Sequence, residues 1–131
     1  MKDKDNKKIH PEPKKNNRFI VNLLGTEIEP WTVQKADRPT YSLENGWENM
    51  EIELVDIISP STSKRVYDGI ISKDMENRLI TMKMLDPVGV EIEKWNLTVD
   101  YLKVDFGKGD YAKDEVSKIK IVFSIKNCIL S

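Results

Sequence analysis

Residues 119–125 read Ile-Lys-Ile-Val-Phe-Ser-Ile, and the apolar side chains Ile119, Ile121, Phe123 and Ile125 recur at every second position. That period suits a strand with one buried face and suits no helix. Lys118, Lys120 and Lys126 fall on the opposite face, so the strand expected over Val116–Leu130 has a core side and a wet side. Met50–Ile57 repeats the pattern, with Met50, Ile52 and Leu54 on one face and Glu51, Glu53 and Val55 on the other. A chain built on such segments folds as antiparallel sheet.

Further strands are expected over Phe19–Leu24, Trp31–Lys35, Asn77–Leu85 and Val90–Phe106. In the second, Trp31, Val33 and Lys35 should share a face. The apolar register of the last shifts between Ile92 and Trp95, and again between Val99 and Leu102, which predicts a bulge or bend at each place. Asp86-Pro87-Val88-Gly89 suits a tight turn, with proline pre-setting φ at its second position. Thr40–Asn49 and Gly107–Glu115 read as loops.

One short helix is expected, over about Pro60–Ile71. Ser59 would cap it, Pro60 would occupy its first turn, and Val66/Ile70 and Tyr67/Ile71 would stack at i,i+4. One helix is too little to cover a parallel sheet. The expected fold class is therefore mainly β: an antiparallel barrel or curled sandwich with one short flanking α-helix.

The 131 residues fit one domain. Residues 1–17 are polar, basic and proline-containing and are read as a flexible arm, with the β domain over 18–131. Residues 1–18 carry a net charge of +4 and the remainder −5, so a basic patch for nucleic acid is not expected on the body. No apolar run approaches the ~20 residues of a membrane span.

Catalytic chemistry has little to work with. The single histidine, His10, falls in the arm, where nothing would hold a general base in place. The single cysteine, Cys128, falls on the final strand and reads as a half-buried side chain; zinc sites want several such ligands. Gly107-Lys108-Gly109-Asp110 lacks the spacing of a phosphate loop and reads as a turn. No catalytic residue, cofactor site or metal site is expected. Trp47, after Asn45-Gly46, is either folded back onto the body or held for a partner. Glu51/Glu53 and Glu91/Glu93 are i,i+2 pairs, each expected on one strand face. They form either the solvated face of the sheet or an acidic wall lining something.

Five segments in order resemble one family: WTVQKADRP at Trp31–Pro39, DIISPSTS at Asp56–Ser63, DPVGVEIEKW at Asp86–Trp95, VDFGKGDYAKDE at Val104–Glu115, and the alternating strand Ile119–Leu130. Together they resemble the tail tube proteins of contractile-tailed bacteriophages, over nearly all of residues 18–131. The resemblance implies a non-enzymatic virion structural protein. Six subunits would form a ring with a continuous inner β-barrel, and rings would stack into a tube inside a sheath. It implies the chain itself, sheath, baseplate and tape-measure proteins as partners, transient passage of DNA without specific binding, and a place in the virion tail after assembly in the bacterial cytoplasm. A baseplate tube-initiator and the tubes of type VI secretion or extracellular injection systems share the implied fold. An acidic lumen would repel the DNA backbone and let it slide, which makes Glu51, Glu53, Glu91 and Glu93 candidate lumen residues. The arm is a candidate for bridging rings.

Overall fold

A computed structural model describes residues 13–15, 17–24, 26–72, 78–112 and 114–131. Its main element is a six-stranded antiparallel sheet in the order β1-β6-β7-β8-β5-β2. The strands are β1 (Phe19–Leu23), β2 (Val33–Ala36), β5 (Met50–Val55), β6 (Leu79–Leu85), β7 (Glu91–Asp105) and β8 (Lys118–Leu130). The sheet curls until its two outer strands, β1 and β2, approach each other. It encloses one core of alternating residues, in which Leu54, Val99, Ile119, Ile121 and Phe123 are fully buried. The result is an almost closed barrel whose end strands approach each other without pairing.

β7 and β8 form a long ribbon that holds the sheet together. β6 pairs with β7 over Glu91–Thr98, whereas β5 pairs with β8 over Lys118–Phe123. Each partner thus covers a different half of the ribbon. The register shifts at three places. Leu85 opposes Glu91 while Met84 opposes Glu93, so Ile92 is an extra residue. Thr98 opposes Asn127 while Val99 opposes Ile125, which makes Lys126 extra on β8. Tyr101 opposes Phe123 while Lys103 opposes Val122, which makes Leu102 extra. The two shifts expected on β7 are thus present, and a third lies on β8.

The helix is shorter than its sequence suggests. α1 spans Thr62–Val66 and runs into a π-helical turn at Tyr67–Ile71. Its cap is Ser61, whose Oγ accepts the Lys64 N–H at 3.3 Å, and not Ser59. Pro60 precedes the cap, after a cis peptide bond, and Asp56 and Thr62 tie the helix start to the end of β5. The Asp56 carboxylate accepts from Ser63 Oγ at 2.9 Å, and Thr62 Oγ1 accepts the Ile57 N–H at 2.9 Å. Val66 and Ile70 complete the core. The other side of the helix rests on the β1–β2 connection. There Arg65 Nη1 donates to both carboxylate oxygens of Glu29 at 2.8 Å, and Gly69 lies against Thr26.

Two other expectations change. Thr40–Asn49 contains a small hairpin, β3 (Tyr41–Ser42) and β4 (Gly46–Trp47), turned at Gly46 with φ +74°. Trp31 belongs to a 3₁₀ turn at Pro30–Thr32, and β2 is bulged between Val33 and Lys35. Val33 therefore enters the core while Lys35 points outward, and the two do not share a face. Asn77, the expected start of β6, lies outside the described residues.

Candidate functional site

The face of the sheet turned away from the core is charged in ordered rows. Four residues stand directly opposite one another across β2, β5, β8 and β7: Lys35 faces Glu53, Glu53 faces Lys120, and Lys120 faces Asp105. The signs alternate along the whole row. Opposite charges placed directly across strands attract, and like charges there are unfavourable. Within this row Glu53 is buried, at 8% exposure. Lys118 Nζ stands 3.5 Å and Lys35 Nζ 4.0 Å from its Oε1, and that oxygen accepts no hydrogen bond among the described residues. A groove of about 810 Å³ opens beside it, lined by Glu53, Lys118 and Lys120 and by Lys108, Asp110 and Glu115 of the β7–β8 loop.

The four glutamates singled out by their spacing do not form one wall. Glu51 and Glu53 lie on the outward face, opposite Val122 and Lys120. Glu91 and Glu93 lie on opposite faces, because the extra residue Ile92 separates them. Glu91 points outward and pairs with Lys83 at 3.5 Å. Glu93 points inward at the end of the core, with only 5% exposure. The outward face also carries Lys35, Lys103, Lys118 and Lys120, so its charge is mixed.

Glu93 is instead the hub of a clasp. Arg38, from the β2–β3 connection, donates Nη1 to both carboxylate oxygens at 3.2 Å. Lys14 Nζ and the Trp95 indole N–H also donate to it. Burial alone pushes this carboxyl upward, but the hydrogen bonds from Lys14, Trp95 and Arg38 outweigh it and hold the group below its ordinary value. Trp95 in turn packs edge-on against Trp47 at 6.2 Å, and Trp47 against Tyr41 at 5.0 Å. The loop tryptophan is therefore folded back onto the body. The clasp has no local signal in the sequence, because its two cationic partners come from 55 and 79 residues away.

The other candidates are placed as follows. Cys128 is half-buried on β8, and burial pushes its thiol upward, away from the thiolate form that reacts. Gly107, with φ +86°, turns the chain out of β7, its N–H bonded to Asp105 Oδ1 at 2.9 Å. His10 lies outside the described residues, as do residues 1–12 and 16 of the expected arm.

The architecture has known counterparts. A chain of the six-fold symmetrised baseplate of the anti-feeding prophage superposes with a TM-score of 0.69 at 13% identity, covering 93% of this chain and 97% of that one. A chain of the anti-feeding prophage's tube-terminating cap gives 0.65 at 12% identity, with 93% of each chain covered. A chain of the sheath-tube complex of an extracellular contractile injection system, in the extended state, gives 0.65 at 14% identity over 91% of each. No family model matches the sequence, and no curated protein matches it. The likeness therefore lies in the backbone, at full length and with little sequence in common, and the chain has the tail-tube-like fold found in contractile injection systems.

Proposed function

We propose that this chain is a structural tube subunit of a contractile injection machine, without enzymatic activity, whose copies form six-membered rings that stack into a hollow conduit. The observation that carries this reading is the full-length match to chains of tube, cap and baseplate assemblies, each spanning more than nine-tenths of both proteins. The six-fold symmetry of one of those assemblies supports the ring order. Open sheet edges favour the same reading, since a ring buries them by pairing sheets between copies. The outward face, with Glu51 and Glu53 among its lysines, is the surface that would line the conduit. DNA or protein cargo would slide along it, because a face of mixed sign offers phosphates no continuous cationic track.

Sheath, baseplate and tape-measure proteins are the expected partners, and a virion-like tail assembled in the bacterial cytoplasm is the expected location. Residues 1–17 would act as an arm, with Lys14 anchoring its end on Glu93 and the remainder reaching a neighbouring ring. Negative-stain electron microscopy of the purified protein over a concentration series tests the reading. Long hollow tubes establish a polymerising subunit. Rings without stacking point to a baseplate initiator or a terminal component, the second reading that the baseplate and cap neighbours favour. Monomers at all concentrations, even with a baseplate supplied, overturn both. Deleting residues 1–17 should leave rings but shorten or abolish tubes, and tubes of normal length would reject the arm's role.

A further inference from the structure

Among the strand edges that lack a ladder partner in the described residues, two bound the charged face described above. One is the outer edge of β2, the last strand of the sheet, which β1 approaches without forming a ladder. The other is β7 from Asp100 to Asp105, beyond Thr98, where pairing with β6 ends. The four strands β7, β8, β5 and β2 alternate in direction, so β2 runs opposite to β7. A second copy brought round by rotation would therefore set its β7 antiparallel to β2.

We infer that successive copies join at these two edges in one register, which places Lys35 opposite the partner subunit's Asp105. This rests on the tube reading and names the surfaces that would make the ring. In that register the alternating row Lys35–Glu53–Lys120–Asp105 runs on across the joint with no break in sign. Antiparallel pairing then sets Asp37 opposite the partner subunit's Lys103. Asp37 and Lys103 are both exposed. Lys103 lies on the outward face opposite Val122, and Asp37 follows the inward-facing Ala36. Both contacts across the joint therefore join opposite charges.

The same four residues exclude the alternatives. A slip of two residues one way puts Lys35 opposite the partner subunit's Lys103. The same slip the other way puts Asp37 opposite the partner subunit's Asp105. Both bring like charges together. A slip of one residue turns the charged face of one copy onto the core side of the next. Complementary charges thus fix the register of a joint whose backbone bonds alone would tolerate sliding, a device that combines attraction in one arrangement with repulsion in the others. The joint is head-to-tail, with different surfaces on the two sides of each copy, and such a joint makes a ring when the rotation between copies closes.

Two full-length variants test this, Asp105→Lys and Lys35→Asp, assayed for rings by electron microscopy and sedimentation. Each alone should raise the subunit concentration needed for rings by roughly tenfold or more, since like charges replace an attractive cross-strand pair at every joint. An equimolar mixture should recover rings near the wild-type concentration. The Lys at position 105 of one variant then meets the Asp at position 35 of the other, and the next joint is unaltered. Recovery on mixing cannot come from contacts inside one subunit. If each variant assembles like wild type, the joint is wrong and the tube reading stands. If neither assembles alone or mixed while both keep the wild-type melting temperature, the joint is wrong as well. Should either fail to fold, Asp37→Lys and Lys103→Asp form an equivalent pair. Wild-type protein that never forms rings overturns the tube reading and this joint together.

Discussion

Arg38 donates one guanidinium nitrogen to both carboxylate oxygens of Glu93 at 3.2 Å, joining the β2–β3 connection to the start of β7. Glu93 is nearly buried, so an uncompensated charge there is costly. Arg38→Ala should destabilise the fold by about 1–3 kcal/mol, read as a lower urea midpoint with an unchanged slope. A change under ~0.5 kcal/mol would mean that Lys14 and Trp95 suffice.

The same clasp makes stability depend on pH in a defined direction. The folded-state value of Glu93 is lowered from 4.5, so the unfolded chain binds the proton more readily. Its contribution is complete above about pH 4.5 and is lost as pH falls through the lowered folded value. Glu93→Gln should flatten this part of the acid-unfolding curve, and an unchanged curve would assign the acid sensitivity elsewhere.

Tyr101 gives the opposite slope at the alkaline end. Burial pushes its phenol up to about 12, partly opposed by Arg78. Its stabilising contribution is complete below the unfolded value of 10.0 and is lost as pH rises toward about 12. Phenolate absorbance followed through unfolding should show one late, cooperative tyrosine, absent in Tyr101→Phe.

Gly69 is needed for space. A Cβ there would meet Thr26 Cγ2 at 2.5 Å, so Gly69→Ala forces the helix away from the β1–β2 connection. A loss of about 1–3 kcal/mol is expected, in spite of alanine's better helix propensity. The double variant with Thr26→Ala should recover part of it in a thermal melt.

Phe123 anchors the core at full burial and meets Tyr101 edge-on at 6.4 Å. Phe123→Ala should cost roughly 3–5 kcal/mol by chemical denaturation. Cys128, on the same strand but half-buried, should tolerate Cys128→Ser much better.

The strands were legible wherever period-two alternation was strong. β8 announces its buried face through Ile119, Ile121, Phe123 and Ile125, and the β7 bulges show as breaks in the apolar phase. The Glu91/Glu93 pair misleads because the extra residue Ile92 lies between them, and two outward carboxylates look the same in sequence as one outward and one inward. The helix cap shifted from Ser59 to Ser61 because Asp56 and Thr62 decide where the helix starts, and a cluster of three serines offers no local preference. β3 and β4 were missed because two-residue strands carry no period. The rows of charge were unreadable in the chain, since Lys35, Glu53, Lys120 and Asp105 become neighbours only once the register is known.

The divided ribbon has a consequence for how the fold is completed. Take β8 away and the sheet falls into two pieces, β1-β6-β7 and β5-β2, with no ladder between them among the described residues. β8 is the keystone, and it is also the last in chain order of the strands described here. A chain cut short before Lys118 would therefore hold two half-sheets with nothing to close them into a barrel. Closure of the core thus waits on a segment far in sequence from one of the half-sheets that it joins.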